Sequence, residues 1–248
     1  MRTNRLLFIL LVISVLLHIW IADFRHAIAP EAGTYITAPP QWKDSNVKKF
    51  RVSTYNIRRA KGEDGVRDIS RSAGVIRGAD IVGLNELSGT LFYGLNNQAQ
   101  QLGELLEMGW LFAPTEHRWY QDYFGNGLLS RFPVSRWIRE PLLAGVAESR
   151  HLRNMITATI QINGTPVTIM ITHLDRGDIR EQQVHFVLQR FELQSGPVSL
   201  MGDLNTTPDN TQLTKLFLNP DNVDAVQLAL GNQLSKRRLT GLLPAASE

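Results

Sequence analysis

Met201-Gly202-Asp203-Leu204-Asn205-Thr206-Thr207-Pro208 decides how the rest of this chain is read. The apolar run from Val198 to Met201 leads into it like a strand, and an aspartate and an asparagine two positions apart on a strand share one face. A carboxylate beside a carboxamide can activate a water and hold a polar oxygen next to it. The same residues also suit a strand that simply runs into an Asx-type turn, because Asp, Asn, Thr and Pro all favour turns. What the other strands carry separates the two readings.

Three earlier strands are expected to end on a polar residue as well. Residues 50–56 alternate like a strand and finish on Asn56, residues 80–86 finish on Glu86, and residues 165–172 lead into His173. Between the first two, Asp64 is expected to cap a helix in which Val66, Ile69, Ala73 and Ile76 share a face, while Leu95, Ala99, Leu102 and Leu106 mark a second helix. The middle reads as β-rich, with strands over 124–129, 133–140, 153–162 and 165–172. Asn163-Gly164 between the last two is a two-residue hairpin signal. A third helix is expected over 178–192 and a fourth near 209–218. Two strand–helix–strand halves around a β-rich middle give an α/β fold with two packed sheets and helices outside.

Residues 6–22 contain no Lys, Arg, Asp or Glu and follow Arg2 and Arg5. As a helix they reach about 25 Å against a hydrocarbon core of roughly 30 Å; Phe24 can extend the run and Trp20 suits an interface. The expectation is a membrane anchor over residues 1–24 with everything after it on the extracytoplasmic side. The rival reading is a signal peptide cut after Ala27-Ile28-Ala29, which would release a secreted domain. Residues 25–49, broken by Pro30, Gly33, Pro39 and Pro40, read as a linker, and residues 50–248 as the folded domain.

The 248 residues suffice for one α/β domain, and the absence of cysteine excludes disulfides, Cys–zinc sites and a thiol nucleophile. Residues 1–49 hold six basic and three acidic side chains, so the whole net charge of +3 lies there, and the chain from Phe50 onward carries twenty of each sign. A neutral domain disfavours tight electrostatic gripping of duplex nucleic acid.

The strand tips carry a consistent chemistry. Glu86 is an oxygen ligand of the kind Mg²⁺ prefers, and Asn56 could support the ion without adding charge. Asp203 could polarise a water, and His173 and Asn205 could donate hydrogen bonds to a phosphoryl oxygen as charge develops. Each also has a plain structural role open to it: Asn56 as a cap, Glu86 as a partner of Arg58 or Arg59, His173 as a buried, satisfied imidazole.

In this order, Tyr55-Asn56-Ile57, Gly83-Leu84-Asn85-Glu86, Gly125-Asn126-Gly127-Leu128-Leu129-Ser130-Arg131-Phe132-Pro133, Thr172-His173-Leu174 and Gly202-Asp203-Leu204-Asn205 resemble the endonuclease/exonuclease/phosphatase superfamily. The stretch from Arg180 to Gln183 also fits. That superfamily includes pancreatic-type deoxyribonucleases, abasic-site endonucleases, inositol-polyphosphate phosphatases and neutral sphingomyelinases. The resemblance implies a four-layer α/β sandwich, two packed mixed sheets flanked by helices, here preceded by the N-terminal transmembrane helix. It implies Asn56 and Glu86 at a divalent metal (Mg²⁺ or Mn²⁺), His173 on the scissile phosphate, Asp203 orienting or activating the water, and Asn205 supporting the phosphate. The implied reaction is in-line attack of water on a phosphate ester of a lipid headgroup, nucleotide or nucleic acid, as in a phosphodiesterase or nuclease. No protein partner is inferred.

One departure bears on activity. Members of the superfamily carry a Ser-Asp-His-type motif on a late strand, with its imidazole regarded as central. This chain has no Asp-His pair, its histidines being His18, His26, His117, His151, His173 and His185. The expectation is a domain lacking its C-terminal strands, and a hydrolase impaired by the loss of acid–base help worth roughly 10²–10⁴ in rate. The alternative is a non-catalytic relic or binding module that retains the fold.

Overall fold

The central strands carry consecutive apolar residues, such as Ile81-Val82 and Ile169-Met170-Ile171, and each sheet therefore has two greasy faces to cover. The computed structural model describes residues 2–23, 31–33, 47–89, 97–117, 123–142 and 152–224. In chain order the elements are α1 (Arg2–Asp23), β1 (Glu31–Gly33), β2 (Val52–Asn56), a 3₁₀ turn (Arg58–Ala60), α2 (Ile69–Ile76), β3 (Ile81–Ser88), α3 (Gln98–Leu106) and β4 (Gly109–His117). There follow β5 (Tyr123–Ser130), β6 (Val134–Pro141), β7 (Asn154–Ile162), β8 (Thr165–His173), α4 (Ile179–Glu192), β9 (Val198–Asp203) and α5 (Thr211–Leu216).

Two mixed sheets result, one ordered β2-β3-β5-β4 and the other β1-β6-β7-β8-β9. The β2–β3 and β8–β9 pairs are parallel and the others antiparallel. Between the sheets lie Ile81, Leu111 and Leu128 from one and Ile156, Ile160, Ile169, Ile171 and Met201 from the other. The opposite face of the first sheet packs Val82, Leu84 and Leu129 against Ala73 and Ile76 of α2 and Ala99, Leu102 and Leu106 of α3. The opposite face of the second packs Met155 and Met170 against Val184, Val187 and Leu188 of α4 and Leu213 and Leu216 of α5. Ile169, Met170 and Ile171 show the principle: successive side chains on β8 serve alternate cores. The layers are thus helix, sheet, sheet, helix.

The β7–β8 hairpin closes at Asn163-Gly164 with φ of 50° and 76°, the pair of left-handed residues that a type I′ turn requires. Several expectations need correction. The cap of α2 is Asp68, whose side chain accepts from Ser70 N; Asp64 instead accepts from Val66 N (3.0 Å) and Arg71 (2.7 Å), and Val66 is 55% exposed. Asp64 therefore closes the loop before the helix. Strand β4 was not anticipated. Pro114 interrupts its pattern, and a proline is tolerated there because β4 is an edge strand with a register shift between Pro114 and Glu116. Strand β1 lies within the expected linker, where Glu31–Gly33 pairs antiparallel with Trp137–Arg139.

Helix α1 forms, with its side chains from Leu6 to Val12 between 39% and 66% exposed. The expected membrane span is not met by what is described: among the described residues no helix is long and apolar enough to cross a membrane. Leu95 and residues 225–248 lie outside the described residues.

Candidate active site

Asn56 and Glu86 arrive from one sheet, His173 and Asp203 from the other; Asn56, His173 and Asp203 end their strands, whereas β3 runs two residues past Glu86 to Ser88 rather than finishing on it as expected. Asn56 Nδ2 donates to Glu86 Oε1 (2.9 Å) and to Asp203 Oδ2 (3.2 Å), so one amide bridges two carboxylates. His173 Nε2 lies 3.8 Å from the same Asp203 Oδ2, and both side chains are nearly buried. Asn56 Oδ1 accepts from Arg58 N (3.1 Å).

The local backbone explains why these groups face each other. In β3 the register with β5 shifts between Leu84 and Leu87, and Glu86 takes φ of 57° inside that bulge. A left-handed glutamate is a strained conformation, of the kind held at functional positions by its surroundings. It turns Glu86 toward Asn56 while Leu84 and Leu87 both remain in the helix-side core. After Asn56 the chain makes a turn in which Arg58, Arg59 and Ala60 all have φ between 50° and 58°. That turn aims the Arg58 N–H at Asn56 and lays the Arg59 guanidinium 5.2 Å from the Phe124 ring centre. Phe124 in turn stands 6.5 Å from the His173 ring.

On the other sheet, Asp203 pairs with His173 in the parallel β8–β9 ladder, and Leu174 N donates to Asp203 O (2.9 Å). Gly202 makes this approach possible: it has φ of +130°, and a Cβ there would lie 1.8 Å from Thr172 O. Beyond the strand, Asn205 takes φ of 48° and its N–H donates to Asp203 Oδ1 (3.1 Å). Because β9 ends at Asp203, Asn205 lies in the Asx turn beyond it and does not share a strand face with Asp203 as expected, although the turn keeps it beside the site. Asn205 Nδ2 donates to Leu174 O (2.8 Å), and its Oδ1 accepts from Arg176 Nε (3.1 Å).

Arg180 donates to Asn205 O (2.9 Å) and also approaches Glu181 (3.3 Å). Glu181 accepts from Asn210 Nδ2 and Gln212 Nε2, tying α4 to α5 beneath the site; the Asn210 hydrogen bonds, foremost, hold its carboxyl below the usual glutamate range despite partial burial.

The structure thus brings together the side chains of Asn56, Glu86, His173 and Asp203, while Asn205 joins them through its main-chain N–H and turns its carboxamide to Leu174 and Arg176. Sequence reasoning passed over Asn85, Asn126 and Asn154, which are buried behind the site, and Arg59 with Phe124 beside it. Asn85 and Asn126 stand in the Gly83–Glu86 and Gly125–Pro133 stretches; the signal was an asparagine within an apolar strand, where an unpaired amide would be costly. As for a cation, among the described residues no three His, Asp or Glu side chains gather into a metal cage. The donor set is a carboxylate with an adjacent amide and a second carboxylate, which fits a hard ion that keeps most of its water rather than zinc.

The structure is thus a two-sheet α/β sandwich with acid, amide and imidazole side chains converging near its strand tips. A sequence profile described as "Endonuclease/Exonuclease/phosphatase family" matches residues 53–222, well over half of the chain, and the protein belongs to that family. A search of curated proteins finds no match. Among solved structures, the chain is similar to an endonuclease/exonuclease/phosphatase family protein from Leptotrichia buccalis C-1013-b, with 17% identity over 68% of this chain and 72% of that one and a TM-score of 0.55. It is similar to TDP2 of D. rerio complexed with single-strand DNA product, with 20% identity over 75% and 72% and a TM-score of 0.55. A Bacteroides vulgatus endonuclease/exonuclease/phosphatase gives 21% identity over 68% and 71% and a TM-score of 0.54. At these identities the likeness concerns the fold.

Proposed function

We propose that this protein hydrolyses a phosphate ester, as a phosphodiesterase or nuclease, by in-line attack of water. The observation that carries the proposal is the single Asn56 amide shared by Glu86 and Asp203, with His173 at 3.8 Å, because it concentrates acid, amide and imidazole groups from two sheets at one point. Glu86, with Asn56 beside it, would hold a divalent cation such as Mg²⁺ or Mn²⁺, which would neutralise charge on the phosphoryl oxygens. Asp203 accepts a hydrogen bond from the attacking water and withdraws its proton. His173 donates to a phosphoryl oxygen, and Asn205, its amide anchored by Leu174 and Arg176, supports the same group.

Among the described residues His173 is the one imidazole in contact with these groups. A non-catalytic binding role is the second reading, favoured by the absence of any Asp-His pair. Hydrolysis of bis(p-nitrophenyl) phosphate, with and without Mg²⁺, separates the two. Metal-dependent release of nitrophenol, lowered about a hundredfold or more in Asp203→Asn, is the expected result. Equal rates for the two proteins would leave only the binding role.

We further propose that α1 tethers the domain to a lipid surface on the extracytoplasmic side, a secreted form after cleavage being the alternative. The exposed apolar side chains of Leu6 to Leu11 and the preceding Arg5 support this. Recovery of the full chain in the soluble fraction after cell lysis, with its N-terminus intact, would contradict it.

A further inference from the structure

A chain of buried carboxamides leads from the site into the interior. Asp203 N donates to Asn85 Oδ1 (3.0 Å), Asn85 Nδ2 to Asn126 Oδ1 (2.8 Å), Asn126 Nδ2 to Asn154 Oδ1 (2.8 Å), and Asn154 Nδ2 to Pro114 O (3.0 Å). The second hydrogens are used as well: Asn85 donates to Thr172 O (3.1 Å), Asn126 to Asn154 O (3.1 Å) and Asn154 to Ala113 O (3.3 Å). The three asparagines are 0%, 1% and 0% exposed. The links run from β9 to β3, β5, β7 and β4, passing back and forth between the two sheets. Because the chain starts on a main-chain N–H and ends on a main-chain carbonyl, each amide has only one orientation that satisfies its neighbours. Aligned dipoles of this kind strengthen one another in a dry interior.

Three carboxamides are an expensive way to fill an apolar interior, where aliphatic side chains of similar volume would pack without partners to find. What they add is direction. Among the described residues β9 ends its sheet, hydrogen-bonded only to β8, so its other side has no ladder to hold it. Asn85 supplies that hold from the opposite sheet, on the very residue whose carboxylate meets Asn56 and His173. It is also the immediate neighbour of Glu86. One side chain therefore couples the placement of Glu86 to that of Asp203.

We infer that Asn85 is a positioning residue for Asp203, with Asn126 and Asn154 keeping its amide in the one productive orientation. This deepens the proposed function and rests on it only for the consequence at the metal. The test combines amide hydrogen exchange followed by NMR with Mn²⁺ binding followed by EPR, on the full chain. In Asn85→Leu, exchange at the Asp203 amide accelerates at least tenfold more than exchange in β7 and α3, and Mn²⁺ affinity falls about tenfold, as when a group that orients metal ligands is removed. Asn154→Ser, at the far end, produces the same pattern more weakly, and it keeps the test open should Asn85→Leu fail to fold. Uniform acceleration across β7, α3 and β9, with Mn²⁺ affinity unchanged, would show a merely structural role and overturn the inference. If the parent protein binds no Mn²⁺, the metal reading fails by itself, and selective exchange at Asp203 still decides the positioning role.

Discussion

Replacing Gly202 by alanine tests the join between fold and site most directly. The added methyl would lie 1.8 Å from Thr172 O, against a practical limit of 3.0 Å, and the obstacle is backbone rather than a flexible side chain. Strands β8 and β9 must therefore separate locally by more than an ångström, or the residue must leave φ of +130°. The backbone strain contributes about 1–3 kcal/mol and the overpacking a similar amount. Together they make roughly 4 kcal/mol, a large part of the 5–15 kcal/mol that stabilises a typical domain. At about 2–4 °C per kcal/mol for a chain of this size, the midpoint of thermal unfolding should fall by roughly 8–16 °C. Gly177→Ala is the matched control, since Gly177 also has positive φ (+95°) but nothing within 4 Å of its added Cβ. It should lose only the conformational part, about 1 kcal/mol. Circular dichroism melts of both variants decide the matter. Equal losses in the two would refute the close-approach argument and leave backbone conformation as the whole effect.

Other outcomes follow from the packing and the charges. Leu102→Ala opens a hole between α3 and the first sheet, where Leu102 is fully buried, and should lower stability by about 2–5 kcal/mol in urea unfolding. Asn163→Gly keeps the β7–β8 turn but loses the two hydrogen bonds between the Asn163 amide and the Val47 main chain, and should destabilise by about 1 kcal/mol in the same assay, whereas Asn163→Val also places a β-branched residue at φ of 50° and should cost about 1–2 kcal/mol more. The Glu181 carboxyl is held below its ordinary value of 4.5, chiefly by Asn210, so the folded protein binds fewer protons there than the unfolded chain. Its stabilising effect is complete above that ordinary value and is lost as pH falls through the depressed folded value. Glu181→Gln should therefore flatten the decline of the urea midpoint on acidification, and parallel declines in the two proteins would contradict this.

Strand tips were legible because each combines an alternating apolar run with one polar residue out of pattern. That is a local signal, and Asn56, Glu86, His173 and Asp203 all gave it. The hairpin at Asn163-Gly164 was legible for a similar reason, since few residues tolerate two left-handed positions in a row. What escaped depends on contacts distant in sequence. Asn85 and Asn126 are 41 positions apart, and Asn85 and Asp203 are 118 apart, so nothing local marks their amides as partners. Strand β4 escaped because Pro114 argues against a strand until its edge position is known. The cap of α2 falls at Asp68 rather than at Asp64 for reasons of side-chain contact. Arg71 draws Asp64 into the loop, while Ser70 gives Asp68 its capping role.

The division of the site between two sheets has a consequence for how it can be tuned. No covalent feature sets the spacing of Asn56 and Asp203, which meet in a 3.2 Å hydrogen bond across the gap between the two sheets. That gap is instead gauged by the thickness of the aliphatic filling between the sheets, at Ile81, Ile156, Ile171 and Met201. Such interiors are as dense as organic crystals and barely compressible, so a methylene gained or lost there is transmitted rather than absorbed. The spacing of the two strand tips is then a property of the molecule's grease as much as of its polar groups, adjustable by an isoleucine-to-valine exchange that touches neither of them.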